Sequence, residues 1–302
     1  MNEKQTIVEY GVAVDAETML APPDPDTLEL ESGHPGEHDA AYVARRRDLF
    51  ALCRRHRLEE LGPPVVAYTE EERRIWRELY PTLDAIHQQL ASRIYLRAKR
   101  SLGIGGDDIP QLRDLSTLVN NATGMHLVPA EGPIAYRTFY GYIAERGFPV
   151  TQFIRHGSHP EFTPEPDMIH DCLGHVPPLM DADYATLLTT IGRAAVRATR
   201  GEHVLALKRL SWFSIEFGLI EEGDETRVFG AGLLSSTGEM PFALSDDVER
   251  RRFVTDDVVA TDYDPSRMQS KLFVIPSFAF LRDEVTRFVA RLGIDVQSPN
   301  IA

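Results

Sequence analysis

The run His170-Asp171-Cys172-Leu173-Gly174-His175, and later Ser214-Ile215-Glu216-Phe217-Gly218, hold the residue types with the most chemistry in this chain. Two histidines and one carboxylate are the protein ligands of the facial triad of non-haem Fe(II) oxygenases, which leaves coordination positions open for oxygen and water. Read this way, the chain is an oxygen-activating iron protein. Neutral imidazole suits zinc, copper and nickel as well. The bland alternative is two polar residues at a helix end, hydrogen-bonded to backbone.

The spacing tests the idea. Zinc hydrolases of the His-Glu-x-x-His type place their histidines at i and i+4 on one helix face. Here the separation is five, an offset of about 140° on an ideal helix, which would not point both rings at one ion. The geometry works where the helix ends or distorts near the second histidine. Gly174, Pro177 and Pro178 are the residues that would end it.

The elements that position these residues read as helices for the most part. One runs from Asp39 to about Leu58, with Tyr42, Val43, Leu49, Phe50 and Cys53 mostly on one side. Pro63-Pro64 breaks the chain, and Thr69-Glu70-Glu71-Glu72 reads as a capping box. Apolar residues then recur at helical period from Ile75 to Ile94. Pro81 is expected to kink or split this segment, and Gly103 to Gly106 to end it. That glycine run lacks the Lys-Ser/Thr ending of a phosphate loop. Further helices fit 112–120, 183–200, 204–220 and 278–292. The stretch from 120 to Gly132 reads as irregular, and short strands fit 150–154 and 226–229. The helix carrying His170 is expected to start after Thr163-Pro164, with Glu165 and Asp167 in its first turn, where the helix dipole favours acids. The fold class predicted is mainly α with minor β.

Whole-chain properties narrow the field. The chain has 302 residues, 43% of them hydrophobic, which suffices for a substantial core. A formal charge of −14 argues against binding nucleic acid or an anionic membrane surface, because no basic excess is available to neutralise phosphates. Two cysteines, Cys53 and Cys172, make a disulfide scaffold a poor fit, and a reducing cytoplasm is the simplest setting. No signal peptide and no membrane-length apolar run is present, so a soluble cytoplasmic protein is expected. Residues 1–33, with acidic, proline-rich Pro22-Pro23-Asp24-Pro25-Asp26, read as a flexible tail, and 34–302 as one catalytic domain.

Several long motifs, in order, carry a family likeness. They are Gln152-Phe153-Ile154-Arg155-His156-Gly157-Ser158, Thr163-Pro164-Glu165-Pro166-Asp167, His170 to Pro177, Trp212 to Gly218, and Gly230 to Glu239. Together they resemble the pterin-dependent aromatic amino acid hydroxylases, from His34-Pro35-Gly36 to about Phe288. The resemblance implies that His170, His175 and Glu216 hold Fe(II) and that a tetrahydropterin is the second cofactor. Arg155 would clamp the substrate carboxylate with its planar fork, held in place by Asp167. Thr163 and Ser235 match positions at the amino acid end of the substrate. Pro166, Trp212 and Phe217 match positions around its ring. Phe139 matches the residue stacked on the pterin, Gly132, Pro133 and Ile134 the loop whose backbone contacts it, and Asp171 an acid beside it. Glu239 matches a buried acid near the iron. The implied partners are a small aromatic amino acid, O2 and the pterin, with neither nucleic acid nor membrane. No counterpart of the family's tetramerisation helix follows the domain, so a monomer or weak dimer is expected.

Departures bear on the substrate. Ser211 stands where many relatives have tyrosine, Pro133 for a common leucine, Pro149 for a histidine of animal relatives, and Cys172 for a residue that is usually apolar. Trp212 favours phenylalanine or tyrosine over tryptophan as substrate, and Tyr263-Asp264-Pro265 matches a loop that helps set the choice. Phenylalanine hydroxylated at the para carbon is the default reading. Meta-tyrosine for specialised metabolism is the alternative, with tyrosine or tryptophan hydroxylation after it. A zinc hydrolase would want a glutamate where Asp171 stands, and a non-catalytic relative would have lost one of His170, His175, Glu216 or Arg155.

Overall fold

The computed structural model describes residues 7–9, 12–14, 30, 32–132, 134–161 and 163–297. Within the segment read as a tail, β1 (Ile7–Glu9) and β2 (Val12–Val14) pair antiparallel, and its other residues, apart from 30, 32 and 33, lie outside the described residues. α1 (Ala40–Leu58) begins where the Asp39 carboxylate accepts from the N–H groups of Ala41 and Tyr42. α2 (Glu70–Leu90) opens on the expected capping box. Glu72 N–H donates to Thr69 Oγ1 at 3.2 Å, and Thr69 N–H donates to Glu72 Oε2 at 2.6 Å. Pro81 lies inside this helix without dividing it. The division falls at Ala91-Ser92. There Ser92 N–H donates to Val228 O at 2.9 Å, and the serine hydroxyl caps α3 (Arg93–Leu102). Gly103, at φ +65°, ends α3 in the left-handed conformation, so the glycine run is a helix stop.

α4 (Leu112–Thr123) is followed by β3 (His126–Pro129), α5 (Tyr136–Ala144) and β4 (Gly147–Val150). The sequence reading passed over β3 and α5 and set the strand at 150–154. α5 is short and its N-cap, Ala135, offers no side-chain hydrogen bond, so the usual start signal is missing. β3 and β4 pair parallel, Leu127 opposite Phe148, a contact made across α5 and not legible locally. α6 (Met168–His170) begins at Asp167, later than expected. Glu165 precedes Pro166, and a residue before proline is pushed out of the helical region.

A π turn, Asp171–His175, and a tight 3₁₀ turn, Pro177–Met180, lead into α7 (Ala182–Arg197) and α8 (Gly201–Ser211). α7 buries Tyr184, Leu187, Leu188, Ile191 and Ala195 and packs between α5 and α12. A second π turn, Trp212–Glu216, follows α8 directly. The helix predicted to reach Ile220 stops there. Gly218 O accepts from both Phe229 and Gly230 N–H, which turns the chain into β5 (Leu219–Glu222) and β6 (Glu225–Val228). Then come α9 (Ala231–Leu234), α10 (Glu239–Ala243), β7 (Glu249–Arg252), α11 (Thr255–Ala260), β8 (Lys271–Ile275) and α12 (Phe278–Arg291). The larger sheet has the order β6-β5-β8-β7, with β5/β6 antiparallel and the other pairs parallel. The architecture is mainly helical with short strands, as expected. Among the described residues no helix is long and apolar enough to cross a membrane.

Candidate active site

The five-residue spacing of the histidines is resolved by a change of helix type. Val176 N–H donates to Asp171 O at 2.9 Å, an i to i+5 bond that widens the turn and brings His175 round beneath His170. The distortion therefore spans the whole interval and does not begin at Gly174. Glu216 closes the second π turn, where Phe217 N–H donates to Trp212 O at 2.8 Å. α9 packs onto both turns so tightly that glycine is required. A Cβ on Gly174 would lie 2.6 Å from Ala231 O, and one on Gly230 would lie 2.3 Å from Glu216 O.

These two turns gather the three donors. One ligand atom from each of His170, His175 and Glu216 lies within 4.8 Å of the others. His170 Nε2 is 3.8 Å from Glu216 Oε2, and His175 Nε2 is 3.1 Å from Glu216 Oε1. The rings are 4.9 Å apart and nearly perpendicular. Ser235 sets the tautomer of His170. Its hydroxyl donates to Gly232 O at 3.1 Å, so the 2.9 Å contact with His170 Nδ1 requires that nitrogen to donate. Nε2 is then left with a lone pair facing Glu216, which is the form a metal ligand needs. Burial, and then the neighbouring His175, lower the His170 pKa to about 4, so this imidazole is neutral at physiological pH. At His175 burial works against charge, but the Glu216 carboxylate outweighs it and the pKa is raised. A carboxylate and two imidazoles that converge this closely fit a divalent cation, and burial together with their mutual charges are the leading causes of their shifts.

Around the donors lie most of the other residues singled out in the sequence. Trp212 stacks on Tyr263, centroids 4.2 Å apart, and contacts Phe217 at 4.5 Å. Its indole Nε1 donates to Gln269 Oε1 at 3.3 Å, and the Gln269 amide is anchored on Asp264 O and Arg267 O. Gln269 had no sequence signal of its own. Phe139 meets Phe148 edge-on at 5.9 Å, and Phe148 lies 5.0 Å from the His175 ring, an aromatic path from the predicted pterin residue to one of the three converging side chains. Gly132 and Ile134 are half-buried beside α5; Pro133 lies outside the described residues. Asp171 accepts from Thr151 N–H at 2.7 Å and from Thr151 Oγ–H at 2.9 Å, and burial lifts its pKa to about 7. Cys172 is fully buried, with Lys99, Tyr68 and Tyr95 among its electrostatic neighbours, on the side of α2 and α3.

The expected pairing of Arg155 with Asp167 is present. Arg155 Nε and Nη2 both donate to Asp167, at 2.9 and 2.8 Å, and Nη1 donates to Pro160 O at 3.3 Å. Asp167 therefore occupies the Nε–Nη2 edge, and the Nη1–Nη2 edge is left for a ligand. Ser235, expected at the substrate's amino acid end, bonds His170. Thr163 donates its hydroxyl to Glu165 O at 2.8 Å, and Pro166 is half-buried beside it.

Glu165 ties this loop to α1. Its carboxylate receives both terminal nitrogens of fully buried Arg46, one at 2.9 Å, and lies 3.3 Å from His34 Nε2. Burial opposes its charge, but His34 and Arg46 outweigh it and hold the pKa at about 2. A depressed folded-state pKa stabilises the native protein above the unfolded value near 4.5, and the contribution is lost as pH falls toward 2. Glu165→Gln should cost about 2–3 kcal/mol at pH 7. The gap from wild type should narrow at pH 3, read by urea denaturation at both pH values; an equal gap at both would refute the ion pair as its source.

The sequence profile of the family described as biopterin-dependent aromatic amino acid hydroxylase matches residues 24–297. Rat phenylalanine-4-hydroxylase is 37% identical over 270 residues, covering 87% of this chain and 59% of the relative. Mouse tyrosine 3-monooxygenase is 38% identical over 273 residues, covering 89% and 54%. The chain thus spans a little over half the length of these curated relatives. Solved structures agree. The phenylalanine hydroxylase of Chromobacterium violaceum with bound Fe(III) superimposes with a TM-score of 0.71 at 31% identity, covering 78% of this chain and 88% of that one. The same enzyme has also been solved with iron and 7,8-dihydrobiopterin. The Legionella pneumophila enzyme gives a TM-score of 0.71 at 29% identity, covering 78% and 98%. With this profile match over most of its length, the chain belongs to the biopterin-dependent aromatic amino acid hydroxylase family.

Proposed function

We propose that this chain hydroxylates the ring of L-phenylalanine with O2, using Fe(II) and a tetrahydropterin, and that the product is tyrosine. The observation that carries the reading is the convergence of His170, His175 and Glu216 with the His170 tautomer already set by Ser235. When bound, iron and pterin supply the redox chemistry that puts one atom of O2 on the ring. The protein's part is to bind, orient and keep out water. His170, His175 and Glu216 hold the metal and leave positions open. Trp212, which opens the turn that ends in Glu216, and Phe217, just after it, form the wall for the substrate ring, and Tyr263 and Gln269 keep the indole from rotating. The open edge of Arg155 takes the substrate carboxylate. Phe139 would stack on the pterin, with the loop of Gly132 and Ile134 and the carboxyl of Asp171 beside it.

Phenylalanine is favoured over tyrosine by Asp264. Its Oδ1 accepts from Ser266 N–H and Oγ–H and its Oδ2 pairs with Arg267 at 3.3 Å, so both oxygens are engaged within its own loop. The test is an aerobic reaction of Fe(II)-loaded protein with tetrahydrobiopterin and phenylalanine, tyrosine or tryptophan separately, with ortho-, meta- and para-tyrosine resolved by chromatography. Para-tyrosine from phenylalanine is expected. Meta-tyrosine would keep the reaction and move the ring carbon, product only from tyrosine or tryptophan would overturn the substrate, and no product at all would overturn the activity.

A further inference from the structure

A polar cluster carried by α2 and α3 bonds the backbone beside the metal donors. His87 and Asp84 come from one face of α2, Tyr95 and Lys99 from one face of α3. His87 and Tyr95 are fully buried, and Lys99 is 4% exposed. None of the four entered the sequence argument about chemistry. Polar groups buried this deeply need partners, and what they bond shows what they are for.

Tyr95 donates its hydroxyl to Leu173 O at 2.6 Å. That carbonyl lies on the π turn between His170 and His175. Its helical donors would be the N–H groups at i+4 and i+5, but these residues are Pro177 and Pro178, which have none. The remaining neighbour, Val176 N–H, is committed to Asp171 O. The phenol therefore satisfies a carbonyl that the sequence itself has orphaned. His87 Nε2 lies 2.6 Å from Leu234 O, the last carbonyl of α9. A carbonyl only accepts, so Nε2 carries the proton. Nδ1 then accepts from Lys99 Nζ at 3.0 Å, and Lys99 is paired with Asp84 at 2.7 Å. Leu234 is joined to Ser235, whose hydroxyl receives His170 Nδ1–H.

We infer that His87 and Tyr95 are positioning residues for the metal centre: they supply the donors missing from two backbone carbonyls beside its histidines, with Lys99 and Asp84 locking His87 in the donating tautomer. Tyr95 holds the turn that carries both histidines, and His87 holds the strand of backbone from which Ser235 orients His170. The inference rests on the metal reading above.

The test is anaerobic Fe(II) affinity by chelator competition, with the electron paramagnetic resonance line shape of the Fe(II)–nitric oxide complex and the melting temperature recorded on the same samples. Outer ligands to a metal site typically matter by 10–100-fold in affinity. Tyr95→Phe, which removes one oxygen, and His87→Leu should each weaken Fe(II) binding by about tenfold or more and alter the line shape. His87→Gln, whose amide can donate to the same carbonyl, should stay within about threefold of wild type. Tyr95→Phe and His87→Leu with wild-type affinity and line shape but a lower melting temperature would show a merely structural cluster and overturn the inference. Should His87→Leu not fold, Tyr95→Phe with wild-type affinity overturns it alone. Wild-type protein that takes up no Fe(II) would instead overturn the metal reading, and the inference with it.

Discussion

Glu216→Ala should bind Fe(II) more than about 100-fold more weakly than wild type and form no detectable hydroxylated product, with the fold intact. The carboxylate is the only anion among the three donors, and it is within 3.8 Å of both imidazoles. Removing it leaves two neutral nitrogens, a set with neither the charge nor the number of ligands to retain a ferrous ion against water. Glu216→Gln separates the two contributions, because it keeps the side chain's size and one oxygen but loses the charge. Ser235→Ala should fall between wild type and Glu216→Ala, at about 10–100-fold weaker binding, since it frees His170 to take the wrong tautomer without deleting a ligand. The check is iron content after anaerobic loading and gel filtration, with circular dichroism as the control for folding. Wild-type iron content in Glu216→Ala would remove His170, His175 and Glu216 as the ligand set.

The largest effect on stability is expected at Asp167. The residue is fully buried, and its two oxygens accept four hydrogen bonds: from Arg155 N, Nε and Nη2, and from His170 N. Burial opposes the charge, yet Arg155 and the two backbone N–H groups outweigh it and hold the carboxyl below its usual pKa. Asp167→Asn leaves the Arg155 guanidinium buried without a counter-charge and sets an amide N–H₂ against its donors. Breaking one half of a buried pair costs about 3–5 kcal/mol, equivalent to a fall in melting temperature on the order of 10 °C. The same change loosens the first turn of α6, so His170 moves and Fe(II) binding weakens too. Adding Arg155→Met to Asp167→Asn should recover part of the lost stability, because the uncompensated charge goes with it, and recover none of the activity. Calorimetry of the single and double variants decides this. A single variant within 1 °C of wild type would mean that Arg155 finds other partners, and the positioning role of Asp167 would fall.

Much of this protein is legible without coordinates, for local reasons. The start of α1 and the capping box of α2 follow from side chains that bond backbone a few residues away, and the stop after α3 from the left-handed conformation glycine adopts freely, so the chain encodes them within one turn. The residue types of the metal set and the order of the family motifs are likewise present in the letters alone. What the sequence left open depends on contacts between distant segments. The five-residue histidine spacing is incompatible with an α-helix and becomes productive only because a π turn is stabilised where Gly174 lets α9 lie against it. The tautomer of His170 is set by Ser235, sixty-five positions away. Asp167 occupies the Nε–Nη2 edge of Arg155, so only the fold shows which edge of the guanidinium is left for a ligand. Pro177 and Pro178 announce in the sequence that a carbonyl will want a donor, but only the packing of α3 shows that Tyr95 supplies it. Residue identity determined which groups were available for chemistry. Tertiary structure decided which lone pairs and N–H groups remain unspent when they meet, because hydrogen-bond capacity is finite and its partners lie far apart in the chain.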